Sequence, residues 1–287
     1  MYTIYRMWPT LISIGPLAIH SFGLMTALGV FFGGFVLWQK AREEGFEEDL
    51  AMDSWFVTGL SGLLVGRIWH ILINWSIYKG SWYKMVFLTK FPGLAYEGVL
   101  LGAILGVIIF SLRKKWNIWQ YGEIVVLGYL LVEIFVWIGS FLGGSNLGKA
   151  TKWWWGISFP GVENKRHPVQ LLFLAMVILL YIFLKKLEKE YRSFSWYQQK
   201  KGESRPGFLI AAYLISIGVI RFGFSYLTEG LNQRFALMML LSGGLILFFK
   251  SGIMKKLKVE NVKSKTEDKS AVKIKLKKRK KQGFDFK

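Results

Sequence analysis

Apolar residues gather along the chain into seven runs, 20–38, 54–74, 94–112, 121–141, 168–184, 208–228 and 235–249, parted by shorter stretches rich in charged residues, Gly and Trp. A helix rises about 1.5 Å per residue, so about 20 apolar residues cross the roughly 30 Å hydrocarbon layer of a bilayer. The pattern predicts an all-α fold, a polytopic integral membrane protein with seven transmembrane helices. The fifth and seventh runs fall short of that length and are expected to lean on flanking Trp, Tyr, Lys or Arg anchors, or to thin the bilayer locally. Residues 1–254 read as one membrane domain, and 255–287 as a basic, disordered cytoplasmic tail in which apolar periodicity stops.

Composition agrees with this picture. Of 287 residues, 53% are hydrophobic and 17% aromatic, and the mean hydropathy is +0.34, unlike an ordinary soluble globule. The formal charge of +20 would suggest nucleic acid in a soluble protein, but its placement points to a membrane surface, and no nucleic-acid partner is expected. Lys and Arg in short loops are retained on the cytoplasmic side. The loops after the first, third and fifth runs, with the C-terminal stretch, hold 27 of the 38 Lys and Arg, against 9 on the other side. This asymmetry places the N-terminus outside and the C-terminus in the cytoplasm. The tail, with 14 basic and 4 acidic residues, can fix topology and also be drawn to anionic lipid, at about 1 kcal/mol per basic residue near the surface. A cleaved signal peptide is the competing reading of Arg6 and the run to Phe35, but the run is too long and no polar mature segment follows.

The chain has no cysteine, and its three histidines, His20, His70 and His167, lie far apart. A disulfide framework, a thiolate nucleophile and a metal site are therefore not expected, nor is a cofactor. Ionisable groups at membrane depth cost several kcal/mol unless paired or facing water; here they are Arg67, Glu97, Glu123, Glu133 and Arg221, with His70 beside the first. Arg67, Glu97 and Arg221 are expected to face inward, with Glu97 near at least one of the two arginines. Two segments add irregular chemistry. The Gly-rich stretch 139–148 is either a nest of amides for an anion or a plain interhelical turn. Arg166, His167, Pro168, Val169 and Gln170 open the fifth run, as an anionic head-group site at a helix N-terminus or as a solvated interfacial cluster. Trp153, Trp154 and Trp155 suit interfacial anchoring.

These residues carry a resemblance. Ile14, Gly15, Pro16 and the run from His20 to Met25, then Gly66, Arg67 and Ile68 through Asn74, then Gly93 to Gly98 with Leu101 and Gly102, follow in order. Next come the turn from Ile138 to Gly148, Gly156, Phe159 and Pro160, the run Arg166, His167, Pro168 with Gln170, and Arg221 with Phe222. Over roughly residues 11–250 this order resembles the prolipoprotein diacylglyceryl transferase family, inner-membrane enzymes that move a diacylglyceryl group from phosphatidylglycerol to the lipobox cysteine of a lipoprotein precursor.

The resemblance implies a multi-pass protein of the bacterial inner membrane, with a phospholipid and a prolipoprotein signal peptide as its partners. It also exposes departures. The family's span-one aromatic hydroxyl is Phe22, and its third-span histidine is Glu97. The arginine leading the Gly-rich signature is Trp137, and the next asparagine is Ser140. The later asparagine and glutamate are Gly143 and Ser145, and the late arginine–glutamate pair survives as Arg221 with Ser225 four residues on. On this reading Glu97 is the base for the substrate thiol, or else a structural partner of Arg67 or Arg221. Arg221 meets the phosphate, and Arg67, Ser140, Gly144, Asn146, Gly148, Arg166 and His167 contribute to substrate binding. A non-catalytic lipid-binding or assembly protein on the same scaffold is the alternative, and a transporter a distant third.

Overall fold

The computed structural model describes residues 7–14, 17–87, 91, 93–197, 206–228 and 231–250, without the side chains of 191–197. The tail assigned to 255–287 lies outside the described residues. Helices dominate. Six are long and apolar enough to cross a membrane: α1 (Ser21–Glu43), α2 (Glu48–Ile73), α5 (Tyr96–Lys114), α6 (Ile118–Gly143), α7 (Val169–Tyr197) and α9 (Gln233–Lys250). A further apolar helix, α8 (Phe208–Phe224), is shorter at 17 residues. The seven apolar runs thus map onto seven helices, with a shift in which one is short. The fifth run, expected to end at 184, continues in α7 because Lys185 and the residues after it extend the same helix, and Glu188 is buried against Lys40 of α1 at 3.2 Å. The sixth run instead stops helical pairing at Phe224 and closes in a turn.

An all-α expectation misses one feature at the N-terminus. Strands β1 (Thr10–Ile14) and β2 (Leu17–His20) form an antiparallel hairpin that leads directly into α1. β1 carries Thr10, Ile12 and Ile14, β-branched residues that fit a pleated ribbon. Between α2 and α5 the chain makes an excursion containing two short helices, α3 (Trp75–Tyr78) and α4 (Trp82–Val86).

The helices pack in pairs, α1 along α6, α2 along α5 and α8 along α9, while α7 joins α6 and α8. Within a bilayer there is little hydrophobic drive between helices, so small residues that let backbones approach supply the packing. Gly33 of α1 faces Gly128 of α6 so closely that a Cβ on Gly33 would lie 2.6 Å from the Gly128 carbonyl oxygen. Gly102 of α5 meets the Ser61 carbonyl of α2 in the same way. Outward positions such as Phe31, Leu64, Leu72, Leu179 and Leu241 are exposed, as expected of helices apolar all round and solvated by lipid. The inward face of α6 unites two cores, one with Leu37, Trp55 and Tyr121 and one with Leu130, Trp137, Phe173 and Ile217.

Local signals set the ends of α6. Asn117 accepts hydrogen bonds from Trp119 N at 3.0 Å and Gln120 N at 3.4 Å, capping the start. Gly144, at φ 67°, takes the left-handed conformation that ends the helix.

Candidate active site

On α6, Glu133, Trp137 and Ser140 are spaced four and three apart, which aligns them on one helix face. This face turns inward, with Glu133 4% exposed and Ser140 fully buried. Opposite Glu133, from α8, comes Arg221, 5% exposed. Arg221 Nη2 donates to Glu133 Oε1 at 3.1 Å. Tyr96, in the first turn of α5, donates its hydroxyl to the same oxygen at 3.1 Å. Its ring lies beneath the guanidinium, 3.4 Å from Cζ to the ring centroid, and the Phe173 ring of α7 lies 5.4 Å away. Tyr129 and Tyr213 meet edge to face at 6.3 Å in the same cluster. An arginine buried among aromatic faces gains cation–π attraction that grows with desolvation.

The pair is held through one contact only. Among the described residues, Glu133 Oε2 and Arg221 Nε are buried with no hydrogen-bond partner. Because a carboxylate and a guanidinium can engage through two parallel bonds, each side of this pair keeps unused capacity.

Further along α6, Trp137 stacks on Phe173 with ring centroids 4.3 Å apart, so an aromatic floor leads from Arg221 to the Gly-rich turn. There Ser140 Oγ and Ser145 Oγ are 2.8 Å apart, Asn146 Nδ2 donates to Ser140 Oγ at 2.8 Å, and Gln170 Nε2 of α7 donates to the Ser145 carbonyl at 2.8 Å. The turn amides are largely spent on the helix end: Gly144 N donates to Phe141 O and Ser145 N to Ser140 O. Gly144 is therefore a helix cap rather than an open amide donor. Gly148 is pressed against the backbone of His167, with no room for a side chain, and its carbonyl accepts from Arg166 Nη1 at 3.2 Å. Backbone bonds between Ala150, Ile157 and Arg166 tie the 149–168 loop together. His167 Nδ1 accepts from Trp155 Nε1 at 3.2 Å. Trp155 in turn stacks on Trp153 at 4.8 Å.

Of the three other ionisable residues singled out at membrane depth, Arg67 and Glu97 behave differently from expectation. Arg67 is buried, but its nitrogens donate to carbonyls: Nε to Met85 at 3.0 Å, Nη1 to Gly93 at 2.9 Å and Nη2 to Lys84 at 2.7 Å, with Tyr78 under the guanidinium at 5.2 Å. It clasps the excursion between α2 and α5. Glu97 is half-buried and forms no hydrogen bond or ion pair with either arginine. The expected pairing of Glu97 with Arg67 or Arg221 is thus replaced. Glu133 takes Arg221, and carbonyls freed where the excursion leaves helical pairing take Arg67. Glu123, also noted at membrane depth, accepts from Gly207 N at 2.7 Å and Leu209 N at 3.0 Å, capping the start of α8.

Sequence reasoning overlooked Tyr96 and Phe173, because single aromatics are common in apolar runs. It registered Glu133 without its partner. A signal was present in the spacing of Glu133, Trp137 and Ser140, which marks a polar stripe on an otherwise apolar helix.

Fold and site together define a polytopic helical membrane protein with a charged, aromatic-walled centre between its helices and a basic loop at the adjoining helix ends. The chain belongs to the prolipoprotein diacylglyceryl transferase family, whose sequence model matches residues 9–251. Among curated relatives it is similar to phosphatidylglycerol–prolipoprotein diacylglyceryl transferase 2 of Clostridium perfringens, 28% identical over 245 residues that cover 81% of this chain and 91% of the relative. It is also similar to the phosphatidylglycerol–prolipoprotein diacylglyceryl transferase of Campylobacter lari, 27% identical over 272 residues, 84% of this chain and 93% of the relative. The transferase of the same name from Clostridioides difficile is 31% identical over 173 residues, 58% of this chain and 68% of the relative.

Proposed function

We propose that this protein transfers the diacylglyceryl group of phosphatidylglycerol to the lipobox cysteine of a prolipoprotein. Family membership over 9–251 supports the reaction, and the observation that carries the site is Arg221, buried at membrane depth with Nε still unpartnered among the described residues. In the reaction the cysteine sulfur forms a bond to the diacylglyceryl carbon as that carbon's bond to phosphate oxygen breaks. The thiol proton goes to a base, and the departing glycerol phosphate carries away the bonding electron pair. Arg221 stabilises that anion, because a guanidinium in a site screened from water attracts charge more strongly than it would in solvent. Glu97, half-buried and not engaged with either arginine, takes the thiol proton. Ser140, Asn146 and Gly148 shape the turn that flanks the lipid head group, Gly144 fixes its backbone, and Arg166 with His167 supplies positive and donor groups at its mouth. Arg67 supports the site through the excursion it clasps.

The seven helices cross the bacterial inner membrane, with α8 as the short span. The N-terminus lies outside and the 255–287 tail in the cytoplasm, as the basic-residue asymmetry argues. The substrate site then opens to the outer leaflet, where a translocated precursor presents its cysteine. Complementation of a transferase-depleted bacterium, with the mass of the precursor's cysteine as readout, tests this reading. Growth with a diacylglyceryl adduct is expected; a well-expressed protein that yields no adduct would make it a lipid-binding scaffold instead.

A further inference from the structure

We infer that Glu133 is a positioning residue that aims Arg221 and tempers its charge, a role supplied from α6 rather than from Arg221's own helix. The inference rests on the reading of Arg221 as the phosphate group and deepens it.

Four observations carry it. Glu133 Oε1 receives both Arg221 Nη2 and the Tyr96 hydroxyl at 3.1 Å, so one oxygen fixes both the guanidinium and the ring beneath it. The contact is single, leaving Arg221 Nε without a partner among the described residues. Both residues are nearly fully buried, at 4% and 5% exposure, so their charges are weakly screened. Finally, the position four residues beyond Arg221, where an acid at the end of α8 would meet it, is the C-cap Ser225, whose hydroxyl donates to the Phe222 carbonyl at 2.6 Å. The acid that orients Arg221 therefore comes from another helix, and it holds the guanidinium by one nitrogen while Nε has no partner among the described residues. A carboxylate at 133 also opposes the approach of an anionic phosphate. The arrangement exchanges some affinity for the donor lipid for a fixed guanidinium direction.

This makes a distinctive pattern across KM and kcat. The full chain would be assayed in mixed micelles with varied phosphatidylglycerol and a lipobox peptide, with adduct measured by mass. Glu133→Gln keeps an acceptor but drops the charge, so KM for phosphatidylglycerol should fall while kcat also falls. Glu133→Leu removes the acceptor as well and should lower kcat about tenfold or more, the loss of one hydrogen bond to a charged group. Adding Ser225→Glu to Glu133→Leu returns a carboxylate one turn from Arg221 and should recover most of kcat, a rescue that general destabilisation would not show. A folded Glu133→Gln with the parent's KM and kcat, or a Glu133→Leu/Ser225→Glu pair no better than Glu133→Leu, would overturn the assignment while an inactive Arg221→Ala leaves the phosphate reading intact. If Arg221→Ala keeps the parent's rate, the phosphate reading itself fails and the assignment of Glu133 falls with it.

Discussion

Trp137 stacks on Phe173 at 4.3 Å, and Phe173 lies 5.4 Å from the Arg221 guanidinium, so one indole supports both the floor of the charged centre and the α6–α7 contact. Its position on α6, one turn after Glu133, makes it a packing element at the place where the family resemblance implies an arginine. Trp137→Ala should therefore cost about 3 kcal/mol through the cavity it leaves. Thermal denaturation in detergent measures that loss, and Trp137→Phe should recover more than half of it by refilling the stack.

Arg67 supplies a second test of structure against substrate contact. Its three bonded carbonyls, at Met85, Gly93 and Lys84, need a planar fork with several donors, which Lys lacks. Arg67→Lys should cost about 2 kcal/mol in stability and raise protease cleavage at Lys84, while KM for phosphatidylglycerol stays at the parent's value. A large rise in KM without greater protease sensitivity would place Arg67 on the lipid instead.

Much of the architecture was legible because a bilayer enforces run length. Each apolar run of adequate length became a helix, since unpaired backbone groups are intolerable in hydrocarbon. The short elements escaped for the same reason. Segments of four or five residues such as Thr10–Ile14 and Leu17–His20 have no length constraint and read as the prelude to a span. At the site, Arg221 stood out as a cation in an apolar run, but its partner Glu133 lies 88 positions away. The spacing of Glu133, Trp137 and Ser140 marks one face of α6, but that Glu133 rather than Glu97 or Glu123 meets Arg221 is decided by how α6 faces α8. Likewise Arg67 invited an acidic partner, and the structure satisfied it with backbone carbonyls, which leave no mark in a sequence.

Topology can be read chemically. The loop carrying Lys149 is ordered by hydrogen bonds from Lys149 N to Leu227 O at 2.8 Å and from His167 N to Lys149 O at 3.1 Å, yet the Lys149 side chain is partly exposed. In a chain that has no native cysteine, Lys149→Cys should react with an impermeant thiol reagent on intact cells, and a C-terminal reporter should be cytoplasmic. Labelling only after the membrane is opened would reverse the orientation.

The proposed base makes a prediction that follows from its role. A carboxylate can accept the thiol proton and the isosteric amide cannot, so Glu97→Gln should lower the rate of adduct formation about a hundredfold, whereas Glu97→His, which keeps a basic nitrogen, should retain activity. The parent's rate in a folded Glu97→Gln would assign the base elsewhere.

The most direct test of the central claim is the mass of a lipobox peptide's cysteine after incubation with the full chain and phosphatidylglycerol, comparing parent, Arg221→Lys and Arg221→Ala. The account predicts a diacylglyceryl adduct with the parent and a reduced yield with Arg221→Lys, which retains charge without the fork. With Arg221→Ala it predicts a rate lower by about tenfold or more, as expected for losing a charge-assisted contact to phosphate. Equal adduct formation by the parent and by a folded Arg221→Ala would contradict it.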